Sequence, residues 1–401
     1  MRKASFLDLF SNWRPLAAIG GALVAGGALL WVRLAGPTGG YSANELATLQ
    51  QSHSFLYIFH HPVNAPFTLA VRLLQFAPGH HQLLAVRFAA TLFGIACLAA
   101  FFLLVRTWHG LRTALFGTAL FAASPWFLHT ARLGTPEVLL FGVFILTSCG
   151  VWLKRTANPL VLLLCFVLAT ALLYVPGMVW IILAGVLWQW ENIDRVFKKQ
   201  LWAVSLGGLV FLAALVPLGL GIYHSPALAK TMAGLPAAGW PQVWGVLHNL
   251  ASVPLAIVVH APFNPEHWLG RLGLFDAFTL AMLGLGGYLY ARHFGLLRTK
   301  LFVVILCIGT VLIGLGNSVT LTVLVPFLYI LVAAGTGFLL DRWFVVFPRN
   351  MIAQSIGIGM VSIAVVASIV YGLMHYFTAW PGSPDTKAVF TVPASVTIEK
   401  K

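Results

Sequence analysis

Long apolar runs recur along the chain, and they constrain its fold more than any other feature of the sequence. About 20 helical residues cross a membrane hydrocarbon core of roughly 30 Å, and several runs reach that length. The runs are continuous rather than alternating, which excludes an outer-membrane barrel. Apolar residues make up 60% and charged residues 8% of the 401 residues, against roughly 45–50% and about 25% in soluble domains. These proportions exclude a soluble enzyme, a disordered chain and a collagen.

The runs predict an all-α polytopic membrane protein that forms a single membrane domain over residues 1–401. Eleven transmembrane helices are expected, over 16–32, 83–105, 113–129, 136–153, 158–173, 175–190, 201–222, 274–291, 301–316, 319–338 and 353–374. A tight reversal is expected at 174–177, and the apolar stretch over 241–260 is expected to be a folded or re-entrant part of a loop. The segments outside the spans are an interfacial segment over 1–15, a first outer loop over 37–81, a second outer loop over 223–273 and a short outer tail over 375–401.

The distribution of charge predicts the orientation of the chain. The net charge of +14 comes from 24 Lys and Arg against 10 Asp and Glu. Basic residues group in short joints between spans, as in Lys154 with Arg155 and Arg298 with Lys300. Such grouping favours a cytoplasmic N-terminus by the positive-inside rule, and nucleic acid is not an expected partner. In this orientation most of the 13 histidines and most of the acids face outward, so the chemistry is expected on the outer side.

An acidic residue lies just outside the first predicted span, in the sequence Tyr41-Ser42-Ala43-Asn44-Glu45. A carboxylate there could act as a general base toward a hydroxyl group. The spacing of Ser42 and Glu45 is also that of a capping box, in which the two side chains satisfy free N–H groups at a helix start. The sequence leaves both roles open.

Two further elements carry polar groups at the predicted outer surface. His60 and His61 precede Pro62, which suits a first helical position, and imidazoles at a helix start can hydrogen-bond a phosphate. Arg132 and Glu137 flank a joint between two spans, where charges near membrane depth require partners or a function. The structural alternative is that Glu137 lies favourably at a helix N-terminus while Arg132 reaches lipid phosphate.

Several motifs are absent from the sequence. It contains no GxxxxGK[ST] loop, no DxD and no GxSxG, so ATP coupling and a serine hydrolase have no support. It also contains no HxxxH or HExxH spacing. No cofactor and no metal ligands are predicted, and a divalent metal ion remains the alternative.

The order of the features resembles the GT-C class of membrane glycosyltransferases. The nearest families are the protein O-mannosyltransferase-like and aminoarabinose-transferase-like enzymes. The likeness covers residues 16–190 well and the rest in topology, and it implies about eleven spans with juxtamembrane helices in the first outer loop. These enzymes usually have Asp-Glu where this chain has Asn44-Glu45. The likeness rests on Glu45 heading a loop helix, His61-Pro62, Leu84 to Arg87, Ser124-Pro125, and Ala131-Arg132 with Glu137.

The resemblance implies a glycosyltransferase, for a hexose or a pentose, that acts at the outer face of the plasma membrane. The sugar would move from a polyprenyl-phosphate donor to a glycan, lipid or protein acceptor of the cell envelope. The alternative is a non-enzymatic carrier or transporter of lipid-linked glycans, or a catalytically inactive relative. The implied site residues are Glu45 and Glu137 in catalysis, Arg132, His61 and His60 at the donor phosphate, and Asn44, Arg72 and Arg87 as further candidates.

Overall fold

The computed structural model describes residues 13–34, 40–76, 82–236, 242–261, 264–316 and 319–393. Parts of the predicted loops and termini therefore lie outside the described residues: 1–12 of the interfacial segment, 37–39 and 77–81 of the first loop, 237–241 and 262–263 of the second loop, and 394–401 of the tail. Within the described ranges the α-helices are α1 Trp13–Trp31, α2 Ala43–Gln51, α3 Phe55–His60, α4 Ala65–Leu74, α5 Gln82–His109, α6 Leu111–Ala122, α7 Pro125–Arg132, α8 Phe141–Thr156, α9 Pro159–Leu173, α10 Met178–Lys199, α11 Leu201–His224, α12 Pro226–Met232, α13 Val243–Val258, α14 Ala277–Arg292, α15 Leu297–Gly314, α16 Val325–Val346, α17 Met351–Met374, α18 Trp380–Gly382 and α19 Pro384–Val389.

The remaining regular elements are short. Two 3-10 turns precede α8 and α16, over Pro136–Leu140 and Leu321–Val323, and a π-helical turn over His375–Ala379 follows α17. Two strands of two residues each, β1 Gly40–Tyr41 and β2 Val392–Pro393, pair antiparallel. The predicted all-α class is therefore confirmed.

Six helical segments of the described chain are long and apolar enough to cross a membrane, by length and composition alone. Five shorter apolar helices accompany them, among them α13, which occupies most of the apolar stretch over 241–260; its folded or re-entrant placement stays a prediction. The count of eleven spans stays a prediction. The long segments are Leu84–His109, Pro136–Thr156, Leu201–His224, Leu297–Gly314, Val325–Val346 and Met351–Gly382.

The predicted span over 113–129 is wrong as a single helix, because α6 ends at Ala122 and α7 begins at Pro125. Proline lacks the N–H group that would continue the helix, and it disfavours helical conformation in the residue before it. Ser124 is accordingly extended, with ψ 136°. The break turns α7 into a separate eight-residue helix that carries Arg132 at its end.

Helix α5 connects two ends of the bundle that differ in their chemistry. At its start, Arg87 contacts the first loop through a buried ion pair. At its last turns, the backbone carbonyls of Thr107 and Trp108 accept hydrogen bonds from Arg155 and Arg298. The basic joints after α8 and α14 therefore share one end of the bundle, opposite the first loop.

The reversal expected at 174–177 is confirmed, since α9 ends at Leu173 and α10 begins at Met178. Gly177 adopts a positive φ of +78°, which favours glycine, and its N–H donates to Met232 O at 2.9 Å. Tyr174 O accepts from Asn64 N–H at 2.9 Å, so the reversal also holds the first loop.

The C-terminal segment from α17 to β2 ties the two loops together. Val392 pairs with Tyr41 in the strand ladder, which attaches the segment to the first loop. Trp380, which is fully buried, donates from Nε1 to Pro265 O at 3.0 Å in the second loop. The described part of the predicted short tail, 375–393, therefore connects the first loop to the second, and we call it the C-terminal clasp.

Candidate functional site

Glu45 is a fully buried carboxylate at the start of α2. It forms the predicted capping box with Ser42: the N–H of Glu45 donates to Ser42 Oγ at 3.1 Å, and the N–H of Ser42 donates to Glu45 Oε2 at 3.2 Å. Arg87 donates to both carboxylate oxygens, from Nε at 2.7 Å and from Nη2 at 3.0 Å. The structural alternative is therefore present, together with an ion pair that local spacing does not show.

Gly134 completes the surroundings of this carboxylate. Its N–H donates to Glu45 Oε1 at 3.0 Å. A Cβ atom at this position would lie 2.3 Å from Val86 Cγ1, so the joint after α7 can approach this closely only with glycine. Arg87 also donates to the backbone oxygens of Leu34 and Gly40. Its guanidinium is thus engaged by protein acceptors rather than directed toward a ligand.

Glu266 of the second loop lies against the start of α2. Its Oε1 accepts from Ser42 Oγ at 2.6 Å, and its Oε2 accepts from Asn44 Nδ2 at 2.5 Å. The turn Asn264-Pro265-Glu266-His267 presents it, because the Asn264 side chain accepts from the N–H of Glu266 and the Asn264 carbonyl accepts from the N–H of His267. Asparagine before proline favours such turns.

Glu137 lies in the 3-10 turn before α8, on the other side of His267. Its Oε1 accepts hydrogen bonds from Thr322 Oγ1, at 2.7 Å, and from Thr320 Oγ1. His267 Nε2 lies 3.3 Å from Glu137 Oε2 and 3.9 Å from Glu266 Oε2. Trp126 supports the arrangement by donating to Thr322 Oγ1 at 2.8 Å.

These contacts form one continuous carboxylate network, which we define as Ser42, Asn44, Glu45, Arg87, Glu137, Glu266 and His267. The network joins the first loop, the start of α5, the turn before α8 and the second loop. Burial and the nearby Glu45 carboxylate raise the pKa of Tyr41, which lies beside the network in β1. The sequence analysis placed Glu45 and Glu137 in one site, and they belong to one network through Glu266 and His267.

Arg132 lies beside the network with its guanidinium enclosed. Its Nη1 donates to Leu29 O at 2.9 Å and its Nη2 to Val32 O, so it satisfies carbonyls at the end of α1. The rings of Tyr376 and Phe377 cover the guanidinium at 5.0 and 4.7 Å. Burial lowers the pKa of Arg132. This geometry serves the attachment of α1, and the phosphate role of Arg132 stays a prediction.

The other candidate residues occupy the surface of the first loop. His61 is exposed and stacks on Tyr57 at 4.2 Å, while the neighbouring His60 is also exposed. Arg72 lies over the ring of Phe76 at 4.8 Å and donates to Gln75. The described contacts do not connect these three side chains to the carboxylate network.

Metal ligation has no support among the described residues, which contain no group of three or more His, Cys, Asp or Glu side chains able to hold an ion. The prediction that the protein needs no cofactor is not tested by this finding.

Glu266 and His267 were not singled out from the sequence, although they complete the network. The signal was available in the Asn-Pro turn of the second loop, where an acid and a histidine are adjacent. The contribution of the C-terminal clasp had no local signal, because β2 has only two residues and its partner lies in the first loop.

Comparison with known proteins identifies the fold. No family model and no curated protein matches the sequence. Among solved structures, the apo form of ArnT from Cupriavidus metallidurans is similar, with a TM-score of 0.50 and 14% identity over 93% of this chain and 76% of that chain. The same protein bound to undecaprenyl phosphate gives a TM-score of 0.48 and 16% identity, over 91% and 75%. At such identities the likeness concerns the fold alone. The chain therefore has the fold of ArnT, an aminoarabinose transferase of the GT-C class, as the order of its motifs predicted.

Proposed function

We propose that this protein is a glycosyltransferase that moves a sugar from a polyprenyl-phosphate donor to an acceptor of the cell envelope, at the outer face of the plasma membrane. The carboxylate network is the observation that carries the proposal. Three acids from three separate segments meet at one end of an apolar bundle, opposite the basic joints. Carboxylates that are largely buried are costly unless they are paired or functional, and two of the three have no arginine or lysine partner among the described residues.

The chemistry of transfer fits such a site. An acceptor hydroxyl attacks the anomeric carbon of the sugar, the bond from that carbon to the phosphate oxygen breaks, and polyprenyl phosphate leaves with the electron pair. A carboxylate is needed to take the hydroxyl proton, because charge develops on the attacking oxygen. The donor's isoprenoid chain remains in the bilayer, so the proposed reaction takes place at the membrane surface.

The charge pattern supports an outward orientation of the network. The basic joints at the opposite end favour a cytoplasmic location for that end, which directs the carboxylate network outward. The proposed partners are the lipid bilayer, a polyprenyl-phosphate-linked sugar and a glycan, lipid or protein acceptor.

The test uses the full chain in lipid nanodiscs with undecaprenyl phosphate that carries a labelled hexose or pentose, plus an extract of envelope acceptors. A transferase releases undecaprenyl phosphate and moves the label to an acceptor. A carrier, or an inactive relative, retains the intact donor. The variant Asp194→Asn is a matched control, because Asp194 forms only an exposed pair with Lys198. Retention of the intact donor with every sugar tested would contradict the proposal.

A further inference from the structure

The three carboxylates of the network differ in the donors that already occupy their oxygens. Glu45 accepts four hydrogen bonds, two on each oxygen, and two of them come from the Arg87 guanidinium. A carboxylate offers about four acceptor sites, so Glu45 is saturated. Two of these hydrogen bonds belong to the buried ion pair with Arg87, so use of Glu45 in chemistry would disrupt that pair.

Glu137 is partly occupied. Its Oε1 accepts two threonine hydroxyls, and its Oε2 faces His267. One acceptor site on Oε2 is left among the described contacts. The two threonines fix Glu137, and Glu137 in turn positions His267.

Glu266 has one neutral donor on each oxygen, the hydroxyl of Ser42 and the amide of Asn44. Among the described contacts within hydrogen-bond distance, each of its oxygens therefore retains an acceptor site. Its side chain is 8% exposed, whereas that of Glu45 has no exposure. Glu266 has no arginine or lysine partner within the described residues.

Glu266 is also held in a defined position, as a catalytic group must be. The turn at Asn264 fixes its backbone, and the preceding residue, Pro265, accepts the hydrogen bond of Trp380 from the C-terminal clasp. Ser42 and Asn44 fix the carboxylate from the opposite side.

We propose that Glu266 is the catalytic base of the transfer reaction and that Asn44 is its positioning residue, an inference that rests on the proposed glycosyltransferase function. The Glu266 carboxylate takes the proton of the acceptor hydroxyl. At the same time the acceptor oxygen bonds to the anomeric carbon, and the bond between that carbon and the phosphate oxygen breaks. The proton then passes to solvent, and polyprenyl phosphate carries away the bonding electron pair. The enzymes that the sequence resembles usually have an aspartate at the position of Asn44. An aspartate there would repel the Glu266 carboxylate, whereas Asn44 donates a hydrogen bond to it.

An exchange of the two side chains tests this assignment. Glu266→Gln retains an acceptor for Ser42, and a rotated Asn44 amide can accept from the new amide, so folding is expected to persist. The double variant Asn44→Asp with Glu266→Gln places a carboxylate at position 44, in contact with the side chain at position 266. The hydrogen bond between the two positions is kept, but position 266 now donates and position 44 accepts.

Transfer of labelled sugar by the full chain in nanodiscs is the measurement, together with the melting temperature and retention of undecaprenyl phosphate. We expect Glu266→Gln to lower the transfer rate by about 10²-fold or more, the range for loss of a general base. The melting temperature and lipid retention of Glu266→Gln should stay near wild type. The double variant should transfer sugar at least about tenfold faster than Glu266→Gln, which recovers part of the lost rate.

Transfer by Glu266→Gln within about threefold of wild type would overturn the assignment, because loss of a general base lowers the rate by about 10²-fold or more. A folded double variant no faster than Glu266→Gln would overturn it as well. Absence of transfer by the wild-type protein would instead contradict the proposed function itself, so the two failures are distinguishable.

Discussion

Two corners of the carboxylate network use the same residue type in opposite ways. In the first-loop corner, Glu45 is enclosed by Arg87 and Gly134 and has no exposed surface. In the second-loop corner, Glu266 meets neutral donors and keeps some exposure, with His267 nearby. Glu45 has a charged partner and Glu266 has neutral ones, and this difference is the basis for proposing a structural role for the first and a catalytic role for the second.

The largest expected effect is on the stability of the first-loop corner. Glu45→Gln leaves the Arg87 guanidinium buried without its charge partner, which costs about 3 kcal/mol in the free energy of unfolding. Asp194→Asn breaks an exposed pair and should cost less than about 1 kcal/mol. Denaturant or thermal unfolding in detergent measures both, and equal small losses would show that the Glu45 corner is not structural.

The close approach of Gly134 provides the second test. Gly134→Ala places a methyl group against Val86, so the joint must move away from Glu45, at a cost of about 1–3 kcal/mol. Gly150→Ala in α8 is the matched control, since nothing lies within 4 Å of the added carbon there. Alanine should be neutral or stabilising at that helical position. Similar unfolding midpoints for the two variants would contradict the packing described.

Glu137 tests the second-loop corner through a supporting residue. Glu137→Gln still accepts from Thr320 and Thr322 but weakens the contact with His267. We expect the kcat of transfer to fall about tenfold, roughly 1.4 kcal/mol in the barrier, with the donor KM unchanged. A loss larger than that of Glu266→Gln would move the catalytic role to Glu137.

The smallest effect is expected at Arg132. The lysine in Arg132→Lys has no planar guanidinium that can donate to both backbone oxygens at the end of α1. The free energy of unfolding should therefore fall by about 1 kcal/mol. Retention of undecaprenyl phosphate should stay unchanged because the guanidinium faces α1. A marked drop in lipid retention, measured by mass spectrometry, would support the phosphate role predicted from the sequence.

Local sequence patterns predicted the parts of this molecule that depend on neighbours in the chain. The apolar runs predicted the helices, and the spacing of Ser42 and Glu45 predicted the capping box. The reversal before Met178 was equally visible. Each of these depends on propensities and hydrogen bonds within a few residues.

The site's partners could not be predicted in the same way, because they are distant along the chain. Arg87 reaches Glu45 across 42 positions, and Glu266 reaches Asn44 across 222. One sequence offers no means of pairing such residues, so Arg87 was predicted only as a further candidate for the site and Glu266 was passed over. Tertiary packing shows that Arg87 is engaged by Glu45 and by backbone oxygens, and that Glu266 contacts Ser42 and Asn44.

The most direct test of the account compares wild-type protein, Glu266→Gln and Glu45→Gln in one experiment that records both sugar transfer and unfolding. We expect wild type to release undecaprenyl phosphate from the labelled donor, Glu266→Gln to melt near wild type but scarcely transfer, and Glu45→Gln to melt well below both. Equal transfer by wild type and Glu266→Gln, with Glu45→Gln as stable as either, would contradict it.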